Sequence, residues 1–171
     1  GAQQEAAEQE EAAPVKDTLV YATTEKASDM DPANAYDFHT WEIFRNISEG
    51  LLKYKPGTTE LLPGLAKSYD VNDEGDVYTF NLREGVNFSD GTPFNAQAVK
   101  WSIERVMNIA GDPSWLVTDF VDSVEVVDEY TVRFNLQGPV GFFPDLIATV
   151  PYFPMNPNIF PADQWVNDPS E

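Results

Sequence analysis

The sequence predicts an α/β fold in which strands and helices are partly segregated, so that the chain has some α+β character. Three patterns carry this prediction. Residues 78–82 alternate apolar and polar side chains, as a half-buried strand does. Residues 95–108 repeat apolar side chains at helical spacing behind Asn95, a residue type that favours helix N-caps. Strand–turn–strand patterns at 68–82 and 121–136 predict a β-hairpin on either side of that helix.

The amino-terminal region is predicted to contain a tether, a strand and a loop. Residues 1–16 are rich in Gln, Glu and Ala and have no apolar stripe, which predicts a flexible acidic tether. Residues 17–24 read D-T-L-V-Y-A-T-T, and we expect them to form a short buried strand. Residues 25–35 are mostly polar and predict a loop with an Asp-Pro turn at 31–32.

A helix is expected over residues 37–49, with Gly50 at its C-terminal cap. The apolar side chains that predict it recur every third residue: Phe38, Trp41, Phe44 and Ile47. Residues 51–54 then predict a strand, and residues 55–58 predict a turn because they contain a Pro-Gly pair.

The carboxyl-terminal region is predicted to be less regular. Residues 110–115 read as a loop, and residues 142–149 as a short helix with Pro144 in its first turn. Residues 150–171 carry five prolines, so we expect little regular structure there. The aromatic residues on periodic elements are predicted to lie in the core: Trp41, Phe44, Tyr78, Phe80, Trp101 and Phe134.

The composition is that of a folded, strongly acidic chain. Hydrophobic residues make up 42% of the 171 residues, enough for a packed core, and cysteine is absent. Disulfides and cysteine nucleophiles are therefore excluded from this sequence. The net charge of -19 predicts repulsion from nucleic acid, so no nucleic-acid partner is expected. The charge is consistent with a solubilising surface, a high-salt habitat or a preference for cationic ligands, and composition does not separate these.

No catalytic residue, metal site or cofactor is predicted. The sequence has one histidine, His39, and lacks a nucleophile elbow and a phosphate-binding glycine loop. His39 adjoins the apolar stripe of the predicted helix, where a structural role is favoured over a pH switch. Acidic residues crowd one turn, as turns commonly attract them: Asp70, Asp73, Glu74 and Asp76.

Residues 78–105, YTFNLREGVNFSDGTPFNAQAVKWSIER, resemble the signature region of the family 5 solute-binding proteins, the extracytoplasmic peptide receptors of ABC importers. Those proteins usually carry a strand T/Y-F-x-L-R-x-G-V-x-F, then x-D-G-x-P-F-x-A-x-D-V and a helix ending in Glu-Arg. Ala98 departs from the pattern, which has an acidic residue there. Residues 30–32 and 49–54 resemble the family's L-D-P and E-G-L segments.

The resemblance implies that the chain is an N-terminal fragment of a two-lobed, type II periplasmic-binding-protein fold, with the second lobe absent. Residues 17–54 would form the first strand and helix of lobe one, and residues 55–171 an appended subdomain of β-hairpins and helices. The signature residues are expected to shape that subdomain rather than to contact ligand: Arg83, Gly85, Asp90 and Gly91.

The resemblance also suggests three ligand-contacting regions: the loop after the first strand, the loop after the signature helix, and a segment near the end of the chain. On this sequence the candidate residues are Glu25, Lys26, Trp115, Tyr152 and Phe153. Glu25 is suited to pair with a ligand amine and Lys26 with a ligand carboxylate. Both are equally consistent with solvent-exposed charges. Trp115 is either a ligand platform or a core residue, and Tyr152 and Phe153 are expected to form a pocket wall.

The function implied is capture of oligopeptides and their delivery to an ABC transporter permease, without enzymatic activity. The alternative cargo is an oligosaccharide or a nickel complex carried by the same class of receptor. A secreted enzyme or an adhesin-like protein is disfavoured, because catalytic motifs are lacking and the signature is nearly complete. The receptor is expected to be a periplasmic or cell-surface monomer tethered to the membrane through its N-terminus, with a lipid anchor as one option.

Overall fold

A computed structural model describes residues 18, 20–27 and 29–166 of the chain. The helices are α1 (Phe38–Ile47), α2 (Ala96–Ile109), α3 (Trp115–Thr118) and α4 (Phe143–Ile147), followed by a 3-10 turn at Val150–Tyr152. The strands are β1 (Leu52–Tyr54), β2 (Leu61–Pro63), β3 (Ala66–Val71), β4 (Val77–Leu82), β5 (Val121–Asp128) and β6 (Thr131–Leu136). None of the helices within this part of the chain has the length and apolar character needed to span a membrane. The predicted acidic tether, residues 1–16, lies outside the described residues.

The core is built on one antiparallel sheet with the strand order β3-β4-β6-β5. The two predicted hairpins form its halves and meet at β4 and β6, where Tyr78 pairs with Phe134 and Phe80 with Val132. Alternate side chains of both central strands are buried on one face, while the other face carries polar residues. The apolar stripe of α2, which includes Val99 and Ile103, belongs to the same core. The period-two and helical patterns of the sequence therefore bury the faces that they predict.

The two ends of α2 are determined by local chemistry. Asn95 caps the first turn as predicted, because its side chain accepts a hydrogen bond of 3.1 Å from the backbone N–H of Ala98. The helix ends at Ala110, which has a left-handed backbone with φ of 54°. The signature turn that precedes α2 is held by Asp90, whose carboxylate accepts two hydrogen bonds of 2.8 Å from Thr92. These bonds stabilise the ionised form and lower the pKa of Asp90.

A buried ion pair joins segments that are distant in the sequence. Arg105 of α2 and Asp31 form a bidentate pair with distances of 2.7 and 2.6 Å, and both side chains are almost fully buried. Arg105 also donates hydrogen bonds to the carbonyl oxygens of Pro161 and Gln164, at 2.6 and 2.9 Å. Asp31 accepts a further bond of 2.9 Å from the backbone N–H of Val166. We call this set the Asp31–Arg105 clasp, and it connects the amino-terminal segment, α2 and the carboxyl-terminal segment.

Helix α1 and its cap differ from the prediction in detail. Asp37 caps its start through a bond of 2.8 Å from the Thr40 N–H, but the helix ends at Ile47 with Ser48 as the cap, not Gly50. Gly50 is needed instead for close packing, because a Cβ atom there would lie 2.7 Å from the ring of Phe153. The predicted function of Gly50 as a helix cap is therefore wrong.

The expected apolar stripe of α1 is only partly buried. Phe44 is in the core, whereas Phe38 is 92% exposed and Ile47 is 66% exposed. The predicted core residues Trp41 and Trp101 are intermediate in burial, and the other four are buried. A spacing of three drifts around a helix with 3.6 residues per turn, so its members do not all face one side.

The buried strand predicted at residues 17–24 is not present among the described residues of that segment. Val20 is 87% exposed and Tyr21 is 68% exposed, and neither lies in a strand. A strand needs a hydrogen-bonded neighbour, and none of the described strands pairs with this segment. The prediction was wrong because it rested on the apolar side chains of this segment alone. It took no account of which strand would form hydrogen bonds with the backbone.

Candidate functional site

An open aromatic groove of about 380 Å³ lies where α1, α3 and the segment after α4 meet. It is lined by Tyr36, Asp37, Phe38, Trp41, Trp115, Leu116 and Thr149. Most of the lining is apolar, and Asp37 is the one charged residue among the described residues that form it. Trp115, the candidate that the sequence left undecided between ligand platform and core, is 44% exposed and presents its ring to this groove. Exposed aromatic surface in a concave site is typical of ligand binding.

The groove exists because two loops approach each other closely. Gly111, just after α2, has no room for a side chain, since a Cβ atom would lie 2.3 Å from the carbonyl oxygen of Ala33. Asp112 donates its backbone N–H to the side chain of Asn34, with an N···O distance of 3.4 Å. The loop before α1 is thereby held against the loop before α3, which places Tyr36 beside Trp115.

The aromatic rings of the groove have a defined arrangement. Tyr36 packs edge-on against Trp41, with ring centroids 5.9 Å apart and planes inclined by 63°. It packs against Trp115 at 6.4 Å and 89°. The Trp41 indole N–H donates a bond of 2.8 Å to the carbonyl oxygen of Ala35, which fixes that ring. Edge-to-face geometries of this kind are favourable for aromatic pairs.

Glu25 and Lys26 lie in an exposed segment that approaches α1. Tyr21, in the same segment, stacks on His39 with ring centroids 6.5 Å apart and planes inclined by 18°. His39 directly follows Phe38 of the groove, so the segment passes near the start of α1. Both Glu25 and Lys26 are solvent-exposed. Neither lines the aromatic groove.

Tyr152 does not form a pocket wall, contrary to the expectation from sequence. It is 1% exposed, and its hydroxyl donates a bond of 2.7 Å to the carbonyl oxygen of Leu116. Its ring packs against Phe134 and Phe143. Burial raises the pKa of the Tyr152 hydroxyl well above its usual value. The burial of Tyr152 could not be predicted from the sequence, because the proline-rich segment has no periodic pattern of apolar residues.

Phe153 is also buried, at 4% exposure, but it reaches the lining of a second cavity of about 740 Å³. That cavity lies at the other end of α1 and has mixed polar lining, including Arg45, Glu49 and Tyr54. The Tyr54 hydroxyl donates a bond of 2.7 Å to Asp145. Burial, and then this bond to a carboxylate, raise the pKa of Tyr54 to about 12. The structure thus does not bring Phe153 and Trp115 into one pocket.

Of the seven residues that line the groove, only Trp115 was predicted from the sequence as a ligand contact. Tyr36 lies between the predicted polar loop, residues 25–35, and the helix cap Asp37. Trp41 was expected in the core, yet it contributes one face to the groove. An aromatic residue next to a helix cap was the available signal for Tyr36. Among the described residues, no group of three His, Cys, Asp or Glu side chains is placed to hold a metal ion.

Comparisons with known proteins agree with this architecture. The sequence profile of the "Bacterial extracellular solute-binding proteins, family 5 Middle" matches residues 60–170. The chain is 33% identical over 136 residues to the probable D,D-dipeptide-binding periplasmic protein DdpA of Escherichia coli K12, covering 77% of this chain and 26% of DdpA. It is 33% identical over 135 residues to the glutathione-binding protein GsiB of the same organism, covering 76% of this chain and 25% of GsiB.

Two solved structures extend the comparison. DppA from Helicobacter pylori, in complex with the peptide STSA, superposes with a TM-score of 0.68 and 33% identity over 77% of this chain and 29% of DppA. A substrate-binding domain of an oligopeptide ABC transporter from Bacillus anthracis gives a TM-score of 0.74 at 23% identity, over 80% of this chain and 30% of that domain, which supports the fold alone. The chain thus spans about a quarter of the length of the curated relatives it matches. By its sequence profile and its fold, the chain belongs to family 5 of the bacterial extracellular solute-binding proteins.

Proposed function

We propose that the protein containing this chain is an extracytoplasmic receptor that captures oligopeptides and delivers them to an ABC transporter permease. The observation that carries the proposal is the 33% identity to DppA, which was solved with a bound peptide, over 77% of this chain. The names of DdpA and GsiB, a dipeptide-binding and a glutathione-binding protein, support a peptide cargo over an oligosaccharide or a nickel complex.

We infer that this chain supplies part of lobe one. In the proposed division, residues 1–16 form a tether and residues 55–171 the appended subdomain. Residues 17–54 contribute the helix of the lobe, and their amino-terminal segment would become its first strand only by pairing with a strand from elsewhere in the protein. A second lobe from elsewhere in the protein would close over the ligand like a clamshell. The exposed side chains of Trp115, Glu25 and Lys26 support a ligand face on this lobe.

The proposed receptor works by binding and has no enzymatic activity. Its site is a groove of aromatic rings, and its family is defined by solute binding. The periplasmic names of relatives support a location outside the cytoplasmic membrane. We further propose that it is a periplasmic or cell-surface monomer held near the permease by an N-terminal membrane tether, for which a lipid anchor is one form.

A thermal-shift panel on the full-length protein tests the cargo. The panel contains tripeptides to pentapeptides, cello- and manno-oligosaccharides, and nickel–histidine. We expect the peptides to raise the melting temperature, because a ligand at one hundred times its Kd stabilises the native state by about 2.7 kcal/mol. An increase with the oligosaccharides alone, or with nickel–histidine alone, would contradict the peptide proposal and select the corresponding alternative.

Trp115→Ala tests whether the groove belongs to the ligand site. We expect peptide binding to change tryptophan fluorescence in the wild-type protein, and the variant to lose that change and about 30-fold in affinity, as for a buried aromatic anchor. Val127→Ala is the control, because Val127 is 47% exposed and does not line the groove. Unchanged affinity in Trp115→Ala would remove this residue from the site.

A further inference from the structure

We propose that the aromatic groove binds a cationic group of the cargo, the ammonium or guanidinium of a basic residue. The inference rests on the proposed peptide-receptor function and adds to it a chemical class of ligand. From the sequence, Trp115 is either a ligand platform or a core residue, and neither alternative specifies the charge of a ligand. The structure adds the neighbours that give the groove its charge preference, and these are Tyr36, Trp41 and Asp37.

The aromatic rings of the groove are inclined to one another. Tyr36 is inclined by 63° to Trp41 and by 89° to Trp115, so the three rings cannot present their faces in one common direction. Rings inclined in this way do not form one flat platform. The face of an aromatic ring carries negative charge density, and a cation within about 6 Å of the ring centroid is attracted to it. A flat sugar ring would instead be best served by parallel stacking on one exposed face.

The described lining of the groove carries a negative charge. Among the described residues, Asp37 is the one charged member of the lining, and none of the lining residues is a lysine or an arginine. The start of α1 contributes a partial positive charge of about half an elementary charge, which opposes cation binding. The Asp37 carboxylate lies at that same end and accepts the Thr40 N–H at 2.8 Å, so its negative charge offsets the helix dipole. Arg45, on the last turn of α1, lines the other cavity.

The groove matches both parts of a basic side chain, its apolar methylenes and its charged head. Lysine and arginine bury apolar methylenes and keep a charged head near polar groups. The groove offers the same division, with an apolar wall from Phe38 and Leu116 and a carboxylate from Asp37. Its volume of about 380 Å³ is open at one side, so it admits one long side chain. The net charge of -19 adds a long-range field that attracts cations.

The test compares pairs of peptides that differ in the cationic group of one side chain. Ala-Lys-Ala is compared with Ala-norleucine-Ala, and Ala-Arg-Ala with Ala-citrulline-Ala, by calorimetric titration of the full-length protein. We expect each basic peptide to bind about tenfold more tightly than its neutral partner at low salt, in the range of a partly desolvated cation–π contact. We expect the ratio to decrease as ionic strength rises, since salt screens the carboxylate.

Two variants locate the preference in the groove. Trp115→Leu removes an aromatic face but keeps apolar bulk, and Asp37→Asn removes the charge while keeping a side chain that caps helices equally well. Each should reduce the basic-to-neutral ratio to less than about threefold. The control is Asp122→Asn, which removes one exposed charge from β5 outside the groove and should leave the ratio at about tenfold. Melting curves confirm that each variant is folded before titration.

The outcomes separate this inference from the proposed function. If no peptide in the set binds, the peptide-receptor function itself fails. If neutral and basic peptides bind equally, or neutral ones bind more tightly, the receptor function stands and the cation inference is wrong. If the preference is present but survives in both groove variants, the cation binds elsewhere and the inference is again wrong.

Discussion

Replacing Arg105 with methionine should destabilise the folded chain by about 3–5 kcal/mol, as expected when one partner of a buried ion pair is removed. Asp31 would remain at 0% exposure without its guanidinium partner. The carbonyl oxygens of Pro161 and Gln164 would lose their donors as well. The free energy of unfolding from urea titrations, monitored by circular dichroism, measures the loss.

Two controls distinguish the clasp from ordinary ion pairing. The double variant Arg105→Met with Asp31→Leu should recover much of the loss, since well-packed apolar residues often replace buried ion pairs without penalty. Lys53→Met breaks the exposed pair of Lys53 with Glu49, at 2.8 Å, and should change stability by less than about 1 kcal/mol. If Arg105→Met were as mild as Lys53→Met, the clasp would not stabilise the fold.

Tyr152→Ala should destabilise the chain by about 3–5 kcal/mol, because it empties a fully packed aromatic position in the core. Tyr152→Phe should have a smaller effect of about 1–3 kcal/mol, since the ring is kept and the buried carbonyl oxygen of Leu116 loses its donor. Urea titration of both variants measures these values. Tyr21→Ala is the control, because Tyr21 is 68% exposed.

The Tyr152 variants also decide between the two interpretations of this residue. A pocket-wall tyrosine would tolerate alanine with little loss of stability and a large loss of ligand affinity. A buried core position predicts the opposite result. Tyr152→Phe should lose stability but keep its affinity for peptide in the full-length protein. A stable Tyr152→Ala variant that no longer binds peptide would restore the interpretation drawn from sequence.

Local patterns were sufficient for several regular elements, although they did not indicate β2 or α3. Both hairpins, the helix behind Asn95 and the short helix containing Pro144 lie where period, caps and turn residues predict them. In these elements the determining interactions are between near neighbours, such as the bond between Asn95 and the N–H of Ala98. The two-lobed fold class came from the signature motif, not from these patterns.

Contacts between residues far apart in the sequence could not be predicted from local patterns. Asp31 and Arg105 were both noted within family-like motifs, yet they are 74 positions apart and no local pattern indicates that they meet. The same limit explains the failed strand at residues 17–24, whose burial needs a partner strand. Burial of Tyr152 likewise depends on Phe134 and Phe143, which come from other elements.

The candidate site shows the same division. Trp115 follows a turn and was left open between a ligand platform and a core residue, and the structure places it in the lining of a groove. Tyr36 could not be identified, because its position beside Trp115 depends on the close approach of Gly111 to Ala33. The proposed charge preference of the groove depends on Asp37, which the sequence indicates only as the first residue of a predicted helix.

We propose that this chain contributes the aromatic groove to a peptide-binding site. The most direct test is a crystal structure of the full-length protein with a bound tripeptide carrying a central lysine. We predict peptide atoms in contact with the rings of Trp115 and Tyr36, and the lysine ammonium near the Asp37 carboxylate. A bound peptide that makes no contact with this groove, or a groove filled by another part of the same protein, would contradict the claim.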